Sequence, residues 1–456
     1  RLVVDAAVGL QSRGHDVVIY TSHHSRSHSF PETTDGTLKV LVYGDWLPRH
    51  VFGKGHILCA ILRSLYLSLC ILLGQFTGSK RIDVFIVDQL SAPIPILRLA
   101  WWTRVLFYCH FPDKLLTHRD GLLKRAYRYP VDLLEEWTTK MADEIAVNSL
   151  FTKDVFHRSF PLIRKSPRVL YPGINFKEYK SGSNASKQVT DDRYTALERI
   201  LQPEGTKQQS RRVILSINRF ERKKNISLAV AAFARLKREH KHADCMLVLS
   251  GGYDPRVAEN VEYLAALQDQ CRDLHSLSYT TLLPDTTLLP DTTLLPHTTA
   301  PPSPPPDVVF LPSFTSAQRT LLLDTACMLV YTPANEHFGI VPVEAMYARV
   351  PVVAADSGGP RESIVHGQTG LLCEPDEHAF SRAMRVLVDM SESEREEMGC
   401  RGRERVVACF SLDAFTDALH GMVERAGVDG EGWNTFVASA GGLFSFCVLL
   451  LLYFSY

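Results

Sequence analysis

Four side chains in the C-terminal half are of the types, and at the spacings, that could grip an anionic ligand. In Asn335-Glu336-His337-Phe338-Gly339-Ile340-Val341-Pro342-Val343-Glu344-Ala345-Met346, an apolar strand ending at Tyr331 runs into a loop, and Pro342 is placed for the first turn of a helix. Backbone amides near Gly339 to Val341 then point outward and suit an anion. Glu336 lies in the loop and Glu344 inside the helix, so both carboxylates can address one ligand, one at its head and one at its tail. Acids near a helix start are also stabilising in their own right, so the pair alone leaves a structural role open. In Ser216-Ile217-Asn218-Arg219-Phe220-Glu221-Arg222-Lys223-Lys224-Asn225, the strand ends at Ile217, and Arg219 and Lys224 fall on the following loop and helix start. A planar guanidinium and a point-charge ammonium beside a strand end can bind a diphosphate; a solvated basic loop is the alternative. Gly251-Gly252 closes the next strand, and Asp356-Ser357-Gly358-Gly359-Pro360-Arg361-Glu362-Ser363-Ile364-Val365 and Gly367-Gln368-Thr369-Gly370-Leu371-Leu372 come later.

The elements that must position these groups are short runs in which successive residues are apolar rather than alternating. Val17–Thr21, Lys39–Tyr43, Asp83–Val87, Val105–Cys109, Glu144–Asn148 and Arg168–Tyr171 are such runs in the first half. Arg212–Ile217, Ala243–Ser250, Asp307–Leu311, Met328–Tyr331 and Val350–Ala354 are the runs in the second. Uninterrupted apolar runs are the pattern of parallel strands covered on both faces. The fold class is therefore α/β, two doubly wound halves, with ligands expected at the carboxyl ends of the strands and in a cleft between the halves. The chain has 456 residues, 45% hydrophobic, with 50 basic against 50 acidic side chains. That length supports two to three full cores. The even charge balance argues against a nucleic-acid binder and against a largely disordered chain. Ten cysteines are scattered without a CxxC, which reads as buried free thiols and gives no zinc spacing.

The expected organisation is an N-terminal domain over 1–180, a polar linker over 181–210 and a C-terminal domain over 211–412. A helix over 413–430 packs back toward the N-terminal domain, and an apolar tail at 435–456 meets a membrane. Thr280-Thr281-Leu282-Leu283-Pro284-Asp285 repeats with period six, and a proline run follows. Such a pattern fits neither a helix nor a central strand, so 276–306 is read as a disordered insertion. The apolar run from Ile57 to Phe76 is interrupted by Arg63 and reads as a buried or interfacial helix rather than a crossing. The chain opens with Arg1 on a helix already in progress. A strand and its glycine-rich turn are expected ahead of it, which makes the chain N-terminally truncated.

Taken in order, these motifs resemble the retaining nucleotide-sugar glycosyltransferases of family four, whose GT-B fold is two facing Rossmann-like domains. The resemblance covers about 1–426 apart from the repeat. The first half narrows it: Tyr108-Cys109-His110-Phe111-Pro112-Asp113-Lys114-Leu115-Leu116, Tyr129-Pro130-Val131-Asp132, Asn148-Ser149-Leu150-Phe151-Thr152 and Tyr171-Pro172-Gly173-Ile174-Asn175 look like the Alg2-type mannosyltransferases of dolichol-linked oligosaccharide assembly. The resemblance implies α-1,3 and then α-1,6 transfer of mannose from GDP-mannose to Man-GlcNAc2-diphosphate-dolichol, at the cytosolic face of the endoplasmic reticulum membrane. It implies that Arg219 and Lys224 hold the diphosphate and that Glu336 binds the mannose hydroxyls. Gly251 and the amides of Phe338, Gly339 and Ile340 serve the donor, and Glu344 takes the ribose. His110 faces the transferred sugar, with Asp113 and Lys114 on the acceptor side. It implies no cofactor and no essential metal. Other glycosyltransferases of the same pathway are further candidate partners, and nucleic acid is not one.

Two other readings stand beside it. One is a different lipid-acceptor enzyme of the same fold, such as the GlcNAc transferase of GPI-anchor synthesis; the other is an inactive fragment or scaffold. The sequon Asn225-Ile226-Ser227 adjoins the expected diphosphate site, so a glycan there would obstruct it; this favours a cytosolic catalytic face.

Overall fold

A computed structural model describes residues 1–50, 55–116, 122–176, 192–202, 211–240, 242, 244–284 and 305–428. The chain divides into two compact units, one of 1–173 with 412–456 and one of 174–411. In the first, β1 (Val18–Thr21) and β2 (Lys39–Val42) form a parallel pair. β3 (Val84–Asp88), β4 (Arg104–Cys109), β5 (Glu144–Val147) and β6 (Arg168–Val169) form a parallel sheet in that order. Phe85, Val87, Val105, Phe107, Ile145 and Phe156 fill the core on one face. On the other, Leu106, Tyr108 and Ala146 meet Phe415, Leu419 and Met422 of the helix Leu412–Val428. The first helix, Leu2–Ser12, approaches that helix so closely that a Cβ on Gly9 would lie 2.3 Å from Thr416 Oγ1. Arg13 pairs with Asp417 at 2.5 Å and the rings of His15 and His420 are joined at 2.8 Å. The carboxyl-terminal helix is therefore structural equipment of the first unit.

The helix His56–Phe76 has two unlike faces. Cys59, Ile61, Ser68, Ile71 and Gln75 are buried, and so is Arg63. The Arg63 guanidinium donates to the carbonyls of Ser22 (2.7 Å) and Leu47 (3.0 Å), tying down the segments that follow β1 and β2. A buried charge is tolerated only when its donors are used in this way. Leu58, Leu62, Leu69, Leu73 and Phe76 are exposed on the opposite face.

The second unit holds seven parallel strands in the order β13-β12-β11-β7-β8-β10-β9. They are β7 (Arg212–Ile217), β8 (Cys245–Gly251), β9 (Tyr279–Thr281), β10 (Val308–Pro312), β11 (Ala326–Tyr331), β12 (Val352–Ala355) and β13 (Gly370–Cys373). β8, β10 and β12 are buried at every residue, as their unbroken apolar sequences require. The chain steps from β7 to β8 on one side and returns to β11 on the other, so the topological switch point lies between the carboxyl ends of β7 and β11.

Some sequence expectations change. Within the polar stretch 181–210, Asp192–Leu201 is a helix belonging to the second unit, with Leu197 and Leu201 buried. Arg193 at its start donates to the carbonyls of Leu282 (3.0 Å) and Pro312 (2.7 Å). Ten amphipathic residues flanked by polar ones do not stand out in composition. The insertion also starts later than 276, because Tyr279–Thr281 pairs with β10 as an edge strand. At its far end Arg211 holds the carbonyl of Pro306 at 2.8 Å. Residues 285–304 and the tail 435–456 lie outside the described residues, as does Cys447; the other nine cysteines are free.

Candidate active site

At the switch point of the second unit two of the expected groups, Lys224 and Glu336, meet. After β7 the chain passes Asn218, whose amide donates to Ser250 O at 2.8 Å, and makes a single 3-10 turn, Arg222–Lys224. Asn225, with φ 50°, ends that turn in the left-handed region that asparagine tolerates well. The turn delivers Lys224 to Glu336 in the loop after β11, with Nζ 2.7 Å from Oε1. Thr332 Oγ1 donates to Lys224 O at 2.9 Å and binds the two loops a second time. The other carboxylate oxygen of Glu336 accepts from the hydroxyl of Tyr331, at 3.1 Å. Burial, and then the charge of Glu336, hold the Tyr331 phenol far above its usual range, so it remains a donor. Glu336 is thus a fixed anion with a cation at one oxygen and a neutral donor at the other.

The loop that carries Glu336 is buttressed from below. A Cβ on Gly358 would lie 2.5 Å from Glu336 O, and one on Gly359 would lie 2.2 Å from Phe338 O. The Gly359 amide donates to Glu336 O at 2.8 Å, and Ser357 Oγ is joined to the amide and side chain of Asn335. The Asp356–Pro360 segment therefore shapes this loop, a role its glycines hinted at in sequence. Gly339, with φ 79°, begins the helix Ile340–Tyr347, and no side chain caps it, so its first amides suit an anion. Glu344, one turn on, lies 3.5 Å from Arg319 of the helix Ser316–Thr325. Gly251, with φ 150°, could not carry a Cβ, which would fall 1.8 Å from Asn218 O.

The two cations are not equivalent. Lys224 is 16% exposed and ion-paired, whereas Arg219 is 72% exposed and only approaches Glu221, at 3.7 Å. Lys224 is already in place, and Arg219 is an arm that a ligand would have to recruit.

In the first unit, His110 follows β4 and its Nε2 lies 2.9 Å from Asp88 Oδ1. Tyr108 packs edge-on against its ring, centroids 4.8 Å apart. Asp113 sits in a network that sequence reasoning did not find. The amides of Asp113 and Lys114 donate to the two oxygens of Glu135, at 2.7 and 3.0 Å. Burial, and next the charge of Asp113, push the Glu135 carboxyl up to about 7, and burial also raises Asp113. Lys114 turns its ammonium to Ser159 O and over the Phe160 ring, 4.5 Å from its centroid, so its charge serves packing. Among the described residues, no three His, Cys, Asp or Glu side chains gather as metal ligands would.

The fold and this site define a glycosyltransferase of the GT-B class. Residues 1–178 match the Glycosyltransferase Family 4 model, and 198–288 with 305–405 match Glycosyl transferases group 1. Among solved structures, the sucrose-phosphate synthase of Thermosynechococcus elongatus aligns over 94% of this chain and 93% of its own, with TM-score 0.63 at 18% identity. Anabaena Alr3699/HepE, in complex with UDP and glucose, aligns over 93% and 95%, with TM-score 0.58 at 15% identity. The alpha-1,3/1,6-mannosyltransferase ALG2 of Rhizomucor pusillus is 48% identical over 93% of this chain and 88% of that protein. The Homo sapiens ALG2 is 42% identical over 93% and 92%. The chain belongs to the ALG2 family of alpha-1,3/1,6-mannosyltransferases.

Proposed function

We propose that this enzyme transfers mannose from GDP-mannose to a dolichol-diphosphate-linked Man-GlcNAc2 acceptor, first α-1,3 and then α-1,6, at the cytosolic face of the endoplasmic reticulum membrane. The observation that carries the reading is the Lys224–Glu336–Tyr331 arrangement at the switch point. Lys224 stands ready to neutralise the donor's diphosphate, and Arg219 swings in to share that charge. The uncapped helix start at Gly339, with the amides of Phe338 and Ile340 beside it, takes the sugar and phosphate. Glu336, held at both oxygens, accepts from mannose hydroxyls through its remaining lone pairs, and Glu344 accepts from the ribose. Gly251 keeps the β8 end flush so that a ligand can approach. The acceptor is assigned to the loop from His110 to Asp113.

In the retaining step the anomeric carbon–oxygen bond to the β-phosphate lengthens. The acceptor hydroxyl then attacks on the face that GDP is leaving, and its proton passes to the departing phosphate. No carboxylate becomes a covalent nucleophile, unlike the two-carboxylate glycosidases. Fixed charges aimed at the leaving group lower the barrier because they need no reorganisation. The exposed leucines of the helix His56–Phe76 support contact with a bilayer. Asn225 closes the turn that carries Lys224, so a glycan on it would crowd the donor; this supports the cytosolic face.

The test is transfer from GDP-mannose to synthetic lipid-linked Man-GlcNAc2, comparing wild type with Glu336→Ala and Lys224→Ala. Each variant is expected to lose on the order of 10²–10³-fold in kcat. Unchanged rates in both, or turnover with UDP-GlcNAc in place of GDP-mannose, would overturn the reading.

A further inference from the structure

Gln89 follows β3 with φ 61°, a left-handed backbone that costs a non-glycine residue about 1 kcal/mol or more. Its side chain uses both ends. The amide nitrogen donates to Asp113 Oδ1 and, at 3.1 Å, to Phe111 O. The amide oxygen accepts from the His110 amide at 3.2 Å. Its own backbone amide donates to Tyr108 O at 2.9 Å. The residue before it, Asp88, takes the His110 ring at 2.9 Å. Two adjacent residues at the end of β3 therefore fix His110 twice, one by its ring and one by its main chain. Strained backbone persists only where the surroundings over-determine it, and four hydrogen bonds do so here.

We propose that Gln89 is a positioning residue for acceptor transfer, holding the loop from His110 to Asp113 in its working shape; this rests on the function proposed above. The chemistry of the position is specific. Two donors must face a carbonyl and a carboxylate while an acceptor faces an amide, and only an uncharged carboxamide of this length supplies that set. Asp113 is half-buried beside Glu135, and burial already raises both carboxyls, so a third anion has no place among them. The charged or titratable groups around the amide are Asp88 next to it in the chain and His110 and Asp113 in the loop, and those around its partner Asp113 are Cys109 of β4 and Glu135 and Arg128 of the helix Leu122–Lys140.

Two variants of the full chain separate reach from strain and from charge. Gln89→Glu keeps the shape but sets an anion against Asp113 and Phe111 O. Its acceptor kcat/KM is expected to fall at least 30-fold at pH 7.5. Relative to wild type, at least tenfold should return near pH 5.5, because the protonated acid again offers a donor. Gln89→Asn suits the left-handed backbone but falls one methylene short. It is expected to lose at least tenfold at both pH values while staying folded at the assay temperature, although the three lost hydrogen bonds lower its Tm by a few degrees. The KM for GDP-mannose should stay within twofold in both. Equal activity of Gln89→Glu and wild type at both pH values, or a pH-independent loss in Gln89→Glu that follows a lowered Tm, overturns the proposal. The His110 ring proton signal in NMR gives a readout without turnover. It should shift in Gln89→Glu at pH 7.5, and an unmoved signal also overturns the proposal. A wild-type enzyme idle with GDP-mannose would instead sink the donor assignment, leaving the His110 signal to decide the role of Gln89.

Discussion

Glu336 is useful only if its lone pairs are aimed, and the aim comes from two neighbours of different kinds. In the proposed function Lys224 also meets a diphosphate, whereas the buried Tyr331 hydroxyl serves as a fixed stop. Tyr331→Phe removes one buried hydrogen bond, worth about 1 kcal/mol. A Cβ on Gly339 would lie 3.4 Å from the Tyr331 ring and 3.6 Å from its hydroxyl, so the ring that phenylalanine retains should still back the loop. We expect kcat to fall roughly 5–10-fold with donor KM within twofold, read from steady-state kinetics; a raised KM at constant kcat would assign the hydroxyl to binding instead. Glu135 makes a different expectation, on stability. Its folded pKa of about 7 lies above the ordinary value of 4.5, so the folded chain keeps a proton that the unfolded chain has released between those values. Stability must then fall as pH rises through that window and level off above it. Glu135→Gln cannot ionise. Wild type should lose roughly 2 kcal/mol relative to that variant between about pH 5 and pH 8 in urea unfolding; parallel pH profiles would refute the assignment. Lys224, Arg219 and Glu336 were legible in sequence because each follows an apolar strand by a few residues. Glu135 was not, since it meets Asp113 only through the packing of a helix that no local pattern announces. Tyr331 read simply as the last residue of a strand, and Lys114, expected on the acceptor side, is occupied by Ser159 and Phe160.

Loops that carry charge need backbone support, and here one element lies directly under another. The turn Gly358-Gly359 is in van der Waals contact with the main chain of Glu336 to Phe338, closer than any side chain would allow. Gly359 leads into the helix Pro360–Ser363 with φ −58° and ψ −33°, so alanine there adds the modest cost of an α conformation before proline to the contact itself. We expect Gly359→Ala to push the Glu336 loop away and to lower kcat/KM for the donor by at least tenfold, while Tm drops by only a few degrees. Full donor kcat/KM in that variant would mean that the loop does not depend on this contact. The helix Ser316–Thr325, which carries Arg319, begins with a reciprocal cap between Thr315 and Gln318. Strands were the most legible elements because burial on both faces leaves them apolar throughout. The short edge strand β9 and the helix Asp192–Leu201 were hidden, one by a repetitive sequence and the other by polar flanks. Both are held by contacts distant in sequence, through β10 and through Arg193.

At the scale of the molecule, each unit is built on parallel strands whose ends carry the candidate loops, seven in one sheet in the second unit and a sheet of four beside a separate pair in the first. That plan was readable because the alternation of strand and helix stops and then restarts. How a lipid-linked acceptor is met is a question for the surface. The helix His56–Phe76 is anchored on one side by Arg63, and a helix held so cannot be wrapped by lipid all round. Its other side exposes Leu62 at 59% and Leu73 at 62%, with Leu58 and Leu69 between and beyond them. The Phe76 ring meets Trp102 at 5.3 Å, Trp102 meets Trp101 at 5.5 Å, and Arg81 lies over the Trp102 ring. An apolar stripe on a helix, with tryptophans and a cation from other segments packed at its end, is an arrangement suited to a membrane interface. Each of these half-exposed leucines gains roughly 1 kcal/mol on entering lipid, so several together suffice for reversible binding. Leu62→Glu with Leu69→Glu replaces two exposed side chains and should leave Tm nearly unchanged. The double variant should lose at least half of its flotation with liposomes, and quenching of tryptophan by brominated lipid should fall with it. Transfer to a short-chain, water-soluble acceptor should persist, while transfer to a vesicle-embedded dolichol acceptor falls at least fivefold. If flotation and quenching match wild type, the stripe is not the surface that meets the bilayer.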